Sequence, residues 1–246
     1  VSSYSRPRTL DEALELLERP VAVAIGGGTR VLPAPTAAPI EVVDLQALGL
    51  NGIEAWPGGD IVIGGTARLR RIVEHEAVPA AVREAARRET SSALRNLATL
   101  GGCIVTGDPE SELLAALLVH EARVRVARRS GATTVPLPEL LADAGRTATA
   151  IVEAVVLAGG GVTACARTGR TAADRPIVAA VARRDGHGTI RLALTGVASH
   201  PVLVDGRDPA VGLDRLRPPA DGRGSSEYRL HLAHVLSRRV LGEVAG

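Results

Sequence analysis

The chain has 246 residues, 46% hydrophobic and 23% charged, with a net charge of +2; this balance sets aside disorder and gives no electrostatic reason to expect nucleic acid as a partner. It contains no uninterrupted apolar stretch of ~18 residues, so no membrane span is expected. Phe, Met and Lys are absent, all 29 basic residues are arginine, and the aromatic side chains are Tyr4, Trp56 and Tyr228. Rings supply much of the area of ordinary cores, so this core is expected to be Val, Leu, Ile and Ala.

The N-terminal residues run directly into a helix pattern, without the basic, apolar and cleavage-site succession of a secretory leader, which points to the cytoplasm. Cys103 and Cys165 lie far apart and outside any CxxC spacing, so neither a disulfide framework nor a metal cage is expected. Any iron–sulfur centre belongs on another chain.

In chain order, Thr9 followed by Asp11 and Glu12 and by Leu10, Leu14, Leu16 and Leu17 predicts a capped helix ending near Pro20. VAVAI at 21–25 is a short strand feeding Gly26, Gly27 and Gly28, and EVVDL at 41–45 is another, after a loop through Pro33, Pro35 and Pro39. Residues 49–65 hold two strand-like runs about a turn at Pro57 to Asp60, after which Thr66 is expected to cap a helix over 67–75. A helix near 77–90 puts Val78, Val82, Ala85 and Ala86 on one face; a second helix follows at 113–119, a hairpin around Ser130 and Gly131, and a strand at 150–159. Beyond Gly159–Gly161 the pattern changes to a hairpin over 176–199 turning at Asp185 to Gly188. A Pro- and Gly-rich surface connection from Asp208 to Ser226 then leads to a last helix with Leu230, Ala233, Leu236 and Leu241 on one face. Short strands among helices predict an α+β chain with a boundary near residue 160.

Two glycine turns, AIGGGT at 24–29 and TLGGC at 99–103, expose backbone N–H groups without side-chain obstruction, and together are expected to clamp a pyrophosphate. Neither fits the dinucleotide fingerprint or the P-loop, and there is no nucleophile elbow to support hydrolase chemistry. Cys103 reads as a small hydrophobe before it reads as a reactive thiol. His231 and His234 stand three apart with no third ligand nearby. Asp108, Glu110 and Glu112 read as a solvated turn or helix start before they read as an acid–base pair.

The ordered segments RPRTLDEALELL, AIGGGTRVLP, DIVIGGTARL, RNLATLGGCIVTGDPESELLAALL, RTGRTAADRPIVAAV and DGRGSSEYRLHLAHVLSRRVL span nearly the whole chain. In that order they resemble the medium, FAD-binding subunit of the molybdenum hydroxylases, the family of carbon monoxide dehydrogenase and xanthine dehydrogenase-like flavoproteins. The resemblance implies a fold of the vanillyl-alcohol-oxidase type. A two-part FAD-binding domain would occupy 1–160, as a small α/β part at 1–50 and a larger α+β part at 51–160. A C-terminal domain of antiparallel sheet plus helix would occupy 161–246.

It also implies that Gly26, Gly27, Gly28, Thr29 and Arg30 wrap the FAD pyrophosphate, and that Thr99, Leu100, Gly101, Gly102 and Cys103 form the second loop, with Cys103 where the family usually has Asn. Glu112 would stand where an Asp usually contacts the adenosine side, and Arg167 near a basic position beside the flavin. The partners implied are a molybdopterin-binding large subunit and a 2Fe–2S small subunit, with electrons passing from molybdenum through iron–sulfur clusters to FAD and on to a terminal acceptor. Two other readings stand beside this one: a flavin-domain relative repurposed for a structural or interaction role, and a free-standing flavoenzyme.

Overall fold

The computed structural model describes residues 1–246 except 33–38, 148, 170, 172, 173 and 205–208. The loop expected through Pro33 and Pro35 lies outside the described residues, as does Asp208. The chain begins with β1 (Ser3–Ser5), α1 (Leu10–Leu17), β2 (Ala22–Ile25) and β3 (Glu41–Asp44). The Thr9 hydroxyl accepts from the Glu12 N–H and caps α1, as the sequence predicts. The three strands form a parallel sheet in the order β1-β3-β2. Helix α1 carries the chain from one edge strand, β1, to the other, β2, and its Ala13, Leu14 and Leu17 bury a small core against Val43 and Leu45.

The middle of the chain comprises β4 (Ile53–Ala55), β5 (Asp60–Gly64), α2 (Leu69–Glu74), α3 (Ala80–Glu89), α4 (Ser92–Arg95), α5 (Leu100–Thr106), α6 (Glu112–Val119), β6 (Arg123–Arg128), β7 (Gly131–Pro136), α7 (Leu137–Ala142) and β8 (Ile151–Ala158). Its five strands pair antiparallel in the order β4-β5-β8-β6-β7. The rest of the chain adds β9 (Val162–Thr168), β10 (Val178–Arg184), β11 (Ile190–Thr195), β12 (Val202–Val204), α8 (Pro209–Asp214) and α9 (Ser226–Ala245). These four strands make an antiparallel sheet in the order β12-β11-β10-β9. The α+β expectation holds, and the buried clusters are built from Val, Leu, Ile and Ala. Trp56, Tyr4 and Tyr228 are all exposed.

Several local expectations are corrected. Thr66 does not cap a helix: residues 67–69 first pair with 98–100, through Leu69 N–H to Ala98 O and Leu100 N–H to Ala67 O, which delays α2 to Leu69. The TLGGC turn is the first turn of α5, because the Thr99 hydroxyl accepts from the Gly102 N–H as an N-cap. Strand β9 and helix α8 were not anticipated. On α9 the buried face is Arg229, Leu232, Ala233, Leu236, Val240 and Val244, with Leu230 and Leu241 at its margins. An arginine displaced the register, since Arg229 is drawn inward by the Ile177 and Gly196 carbonyls and by Asp221.

The passage from the five-stranded to the four-stranded sheet runs through Gly159–Gly161, between β8 and β9. Arg183 pins it, donating to the Gly159 carbonyl at 2.8 Å, the Gly160 carbonyl at 3.1 Å and the Val119 carbonyl at 3.4 Å from a buried side chain. Of the three, Val119 is buried, and a buried carbonyl left without its donor costs roughly 1–3 kcal/mol, whereas Gly159 and Gly160 can turn to water. Arg183→Leu is therefore expected to destabilise the protein by about 2 kcal/mol, read as a lower urea midpoint at unchanged slope.

Candidate functional site

A cleft of about 950 Å³ is lined by β2 and the Gly26–Arg30 turn, the end of α3, residues of α4 and α5, and Ile151 and Val152 of β8. Its volume lies at the upper end of the roughly 300–1,000 Å³ typical of small-molecule sites. The two glycine segments foreseen in the sequence meet here. A Cβ on Gly27 would overlap the Leu97 carbonyl and one on Gly26 would collide with the Thr99 hydroxyl, so these glycines allow the two segments to touch. Gly28 has φ +68, a left-handed turn position that favours glycine.

The second segment is not an open nest of donors. The N–H groups of Leu100, Gly101 and Cys103 bind the carbonyls of Ala67, Gly65 and Thr99, and that of Gly102 binds the Thr99 hydroxyl. Gly102 has another quality: it is exposed, and a Cβ there would meet nothing closer than the Thr99 hydroxyl at 3.1 Å. Packing of the chain therefore demands glycine at 27 far more than at 102.

Of the residues singled out from the sequence, Gly26, Gly27, Gly28, Thr29, Arg30, Thr99, Gly101, Gly102, Cys103 and Arg167 line the cleft. Leu100 and Glu112 do not. Leu100 is fully buried in the main core. Glu112 is buried at the start of α6, where it accepts from Arg167 Nε at 2.9 Å and lies 3.6 Å from Arg88. It faces a smaller neighbouring cleft that also holds Cys165. The carboxylate expected at the adenosine thus orients two arginines that themselves line the main cleft.

Cys103 is partly buried, and burial, reinforced by the charge of Glu89, pushes its thiol well above the ordinary range, so it is a neutral thiol rather than a nucleophile. No cluster of three metal-ligating side chains occurs among the described residues, and His234 stands near Asp214 instead.

The sequence reading missed Glu89, Arg175, Arg88 and Thr66. Glu89 ends α3, a poor place for an acid because the helix dipole is negative there. That anomaly was the available signal. Its side chain is 5% exposed, accepts from the Ser111 hydroxyl at 2.8 Å and lies 3.5 Å from Arg175. Burial, the largest influence, pushes the Glu89 carboxyl up to about 7, against the pull of Ser111 and Arg175. Asp108 behaves oppositely: burial works to raise it, but hydrogen bonds from Arg175 and the Glu110 N–H, with the charges of Arg175 and Arg30, hold it below its usual value. Arg30 reaches Asp108 at 2.9 Å.

Six arginines (30, 87, 88, 95, 167 and 175) face two acids, Glu89 and Asp108, among the described residues lining the cleft. Thr66 adds a buried hydroxyl without a protein partner. No aromatic side chain is among the described liners. A roomy, arginine-rich cleft with a glycine floor and an unspent hydroxyl fits a large anionic cofactor.

The comparisons make this specific. Residues 1–157 match the family described as FAD binding domain in molybdopterin dehydrogenase. The uncharacterized protein YgfM of Escherichia coli K12 is 29% identical, covering 96% of this chain and 93% of that protein. The carbon monoxide dehydrogenase medium chain of Afipia carboxidovorans is 27% identical over 97% of this chain and 94% of its own length. In fold, the chain is similar to a structure of carbon monoxide dehydrogenase from Hydrogenophaga pseudoflava, with a TM-score of 0.87 at 24% identity, covering 98% of this chain and 96% of that one. The chain belongs to the FAD-binding family of the molybdopterin dehydrogenases. FAD is its cofactor and oxidoreduction its class of reaction.

Because the folded-state pKa of Glu89 lies above its ordinary 4.5, its contribution to stability is complete below that value and is lost as pH rises through about 7. Glu89→Gln, which cannot ionise, is expected to unfold at higher urea than the parent at about pH 8, with the gap closing toward about pH 5. A gap of opposite sign would remove burial as the dominant influence on this carboxyl.

Proposed function

We propose that the chain is the flavoprotein subunit of a molybdenum hydroxylase assembly, working in the cytoplasm. Electrons released at a molybdopterin-bound molybdenum on a large subunit would pass over 2Fe–2S clusters of a small subunit, arrive at FAD in this cleft and leave for a terminal acceptor. When bound, FAD supplies the two-electron chemistry, and this chain holds and tunes it. Residues 1–160 form the cofactor domain in this reading, divided into 1–50 and 51–160, with 161–246 as the C-terminal domain.

The observation that carries the reading is the meeting of the two glycine segments in an arginine-rich cleft of about 950 Å³. In this assignment Gly26 to Thr29 wrap the pyrophosphate with backbone, and Arg30 contributes charge. Thr99, Gly101, Gly102 and Cys103 give a low wall against which the cofactor lies close, and Thr66 offers its hydroxyl. Arg167 serves the flavin end. Leu100 and Glu112 have supporting roles: Leu100 anchors α5 in the core, and Glu112 orients Arg167 and Arg88.

The test begins with FAD added to the purified chain. Bound flavin absorption is expected, and at a hundredfold excess over Kd the unfolding free energy should rise by about 2.7 kcal/mol. Gly102→Ala separates ligand from fold. Its effect on stability should be small, since the helix propensity of Ala, up to about 1 kcal/mol above Gly, is set against a Cβ 3.1 Å from the Thr99 hydroxyl that caps α5. FAD affinity should nevertheless fall about tenfold or more, as about 1.4 kcal/mol is lost at the close approach. Equal FAD affinity in the two proteins would move the cofactor away from α5. Expression with the neighbouring subunits should yield a complex carrying iron and molybdenum; a chain that binds FAD yet purifies alone would favour the free-standing flavoenzyme.

A further inference from the structure

A cleft that receives electrons from a distant donor receives them without protons, so the protons that balance the charge come from solvent, to the cofactor itself or to a titratable group beside it. Among the described residues lining this cleft there is no His, Lys or Tyr. The arginines keep their protons, Arg30 and Arg175 hold Asp108 ionised, and burial holds the Cys103 thiol protonated. That leaves Glu89.

Its setting is built for a changing charge. The carboxyl is buried at the end of α3, 2.8 Å from the Ser111 hydroxyl and 3.5 Å from Arg175, a cation it shares with Asp108. The groups facing it are the Ser111 hydroxyl and Leu113 N–H from α6, Arg175 from the segment after β9, Asp108 and Cys103 from the end and body of α5, and Arg30 beyond Asp108. On its own helix, Arg87 and Arg88 turn to Glu84, and Arg88 also to Glu112. The nearest cation is thus committed to a second acid, and a hydroxyl is in place that serves either protonation state.

We propose, resting on the assignment of FAD to this cleft, that Glu89 is the charge-compensating residue of the site, taking a proton from solvent when the bound cofactor is reduced and returning it on reoxidation. Two electrons from a reductant, an iron–sulfur centre in the assembly or dithionite in the test, and one proton from solvent would enter the cofactor, leaving one net negative charge. One O–H bond forms on Glu89 with a second proton from solvent, which balances that charge, and it breaks when the electrons leave. No bond forms between Glu89 and the cofactor. The coupling is reciprocal, because a charge that raises the proton affinity of Glu89 is itself stabilised by that proton. In the chain alone burial already pushes the Glu89 carboxyl up to about 7, so negative charge added nearby favours proton uptake around neutral pH.

The experiment is a reduced-minus-oxidised infrared difference spectrum of the FAD-loaded full chain, after flavin absorption has established loading. At about pH 8, reduction should produce the carbonyl-stretch band of a protonated carboxylic acid. At about pH 5 the band should vanish, because Glu89 is then protonated in both states. Glu89→Gln should lack the band at every pH. Arg175→Gln, which removes the cation favouring the carboxylate, should shift the appearance of the band to higher pH, and it serves if the Glu89 variant does not load. No band in the parent, an unchanged band in Glu89→Gln, or an unmoved pH dependence in Arg175→Gln overturns the proposal while leaving the cofactor assignment standing. A chain that never takes up FAD overturns both.

Discussion

Helix α6 is the constraint on which the rest of the structure depends. All eight residues from Glu112 to Val119 are buried, and a helix buried on every side, apolar throughout after Glu112, has no solvent face to present. It packs against α3 and α7 and against β10, β11 and β12 of the four-stranded sheet. Strand β10 is in turn buried on both faces, giving Val181 to the core around α6 and Val178, Ala180 and Ala182 to the core beneath α9. The main core therefore draws on both the five-stranded and the four-stranded regions. With no Phe or Met to fill gaps, this close layering of small aliphatics does what rings do elsewhere.

The same helix organises the cleft from behind. Its cap, Ser111, uses its hydroxyl twice, accepting from the Leu114 N–H and donating to Glu89. Its first residue, Glu112, accepts from Arg167. The end of a structural helix thereby fixes one acid and one arginine of the cleft, and through Arg175 the network continues to Asp108 and Arg30 beside the glycine turn. Arginine suits this arrangement better than lysine would, since its planar fork binds two acceptors at once and stays charged when partly buried. Asp108 and Glu89, two acids sharing one such fork, end with opposite displacements because Asp108 has the shorter and more numerous contacts and Glu89 the deeper burial.

Sequence by itself determined a good deal. The capped α1, the hairpins of β6 with β7 and of β10 with β11, the all-aliphatic core and the family of the chain follow from local patterns: a hydroxyl before acidic residues, glycine at turns, and an ordered set of motifs. Such features are written in neighbouring residues, so a single chain displays them. Glycine at 26, 27 and 28 was also readable as a place where backbone must pass closely, although not what it passes.

Tertiary structure alone decided the rest. That Gly27 faces the Leu97 carbonyl, that the Leu100 and Gly101 donors are spent on Ala67 and Gly65, and that Glu112 serves Arg167 all depend on segments brought together across the sequence, 55 positions apart in the last case. Thr66 lost its helix because residues 67–69 found a partner at 98–100, and α9 turned because Arg229 found three acceptors. Hydrogen bonds and desolvation are settled by what lies across space, and local propensity yields to them wherever a polar group must be buried. For that reason Glu89, an acid on the wrong end of its helix by every local rule, became intelligible only when its neighbours were in place.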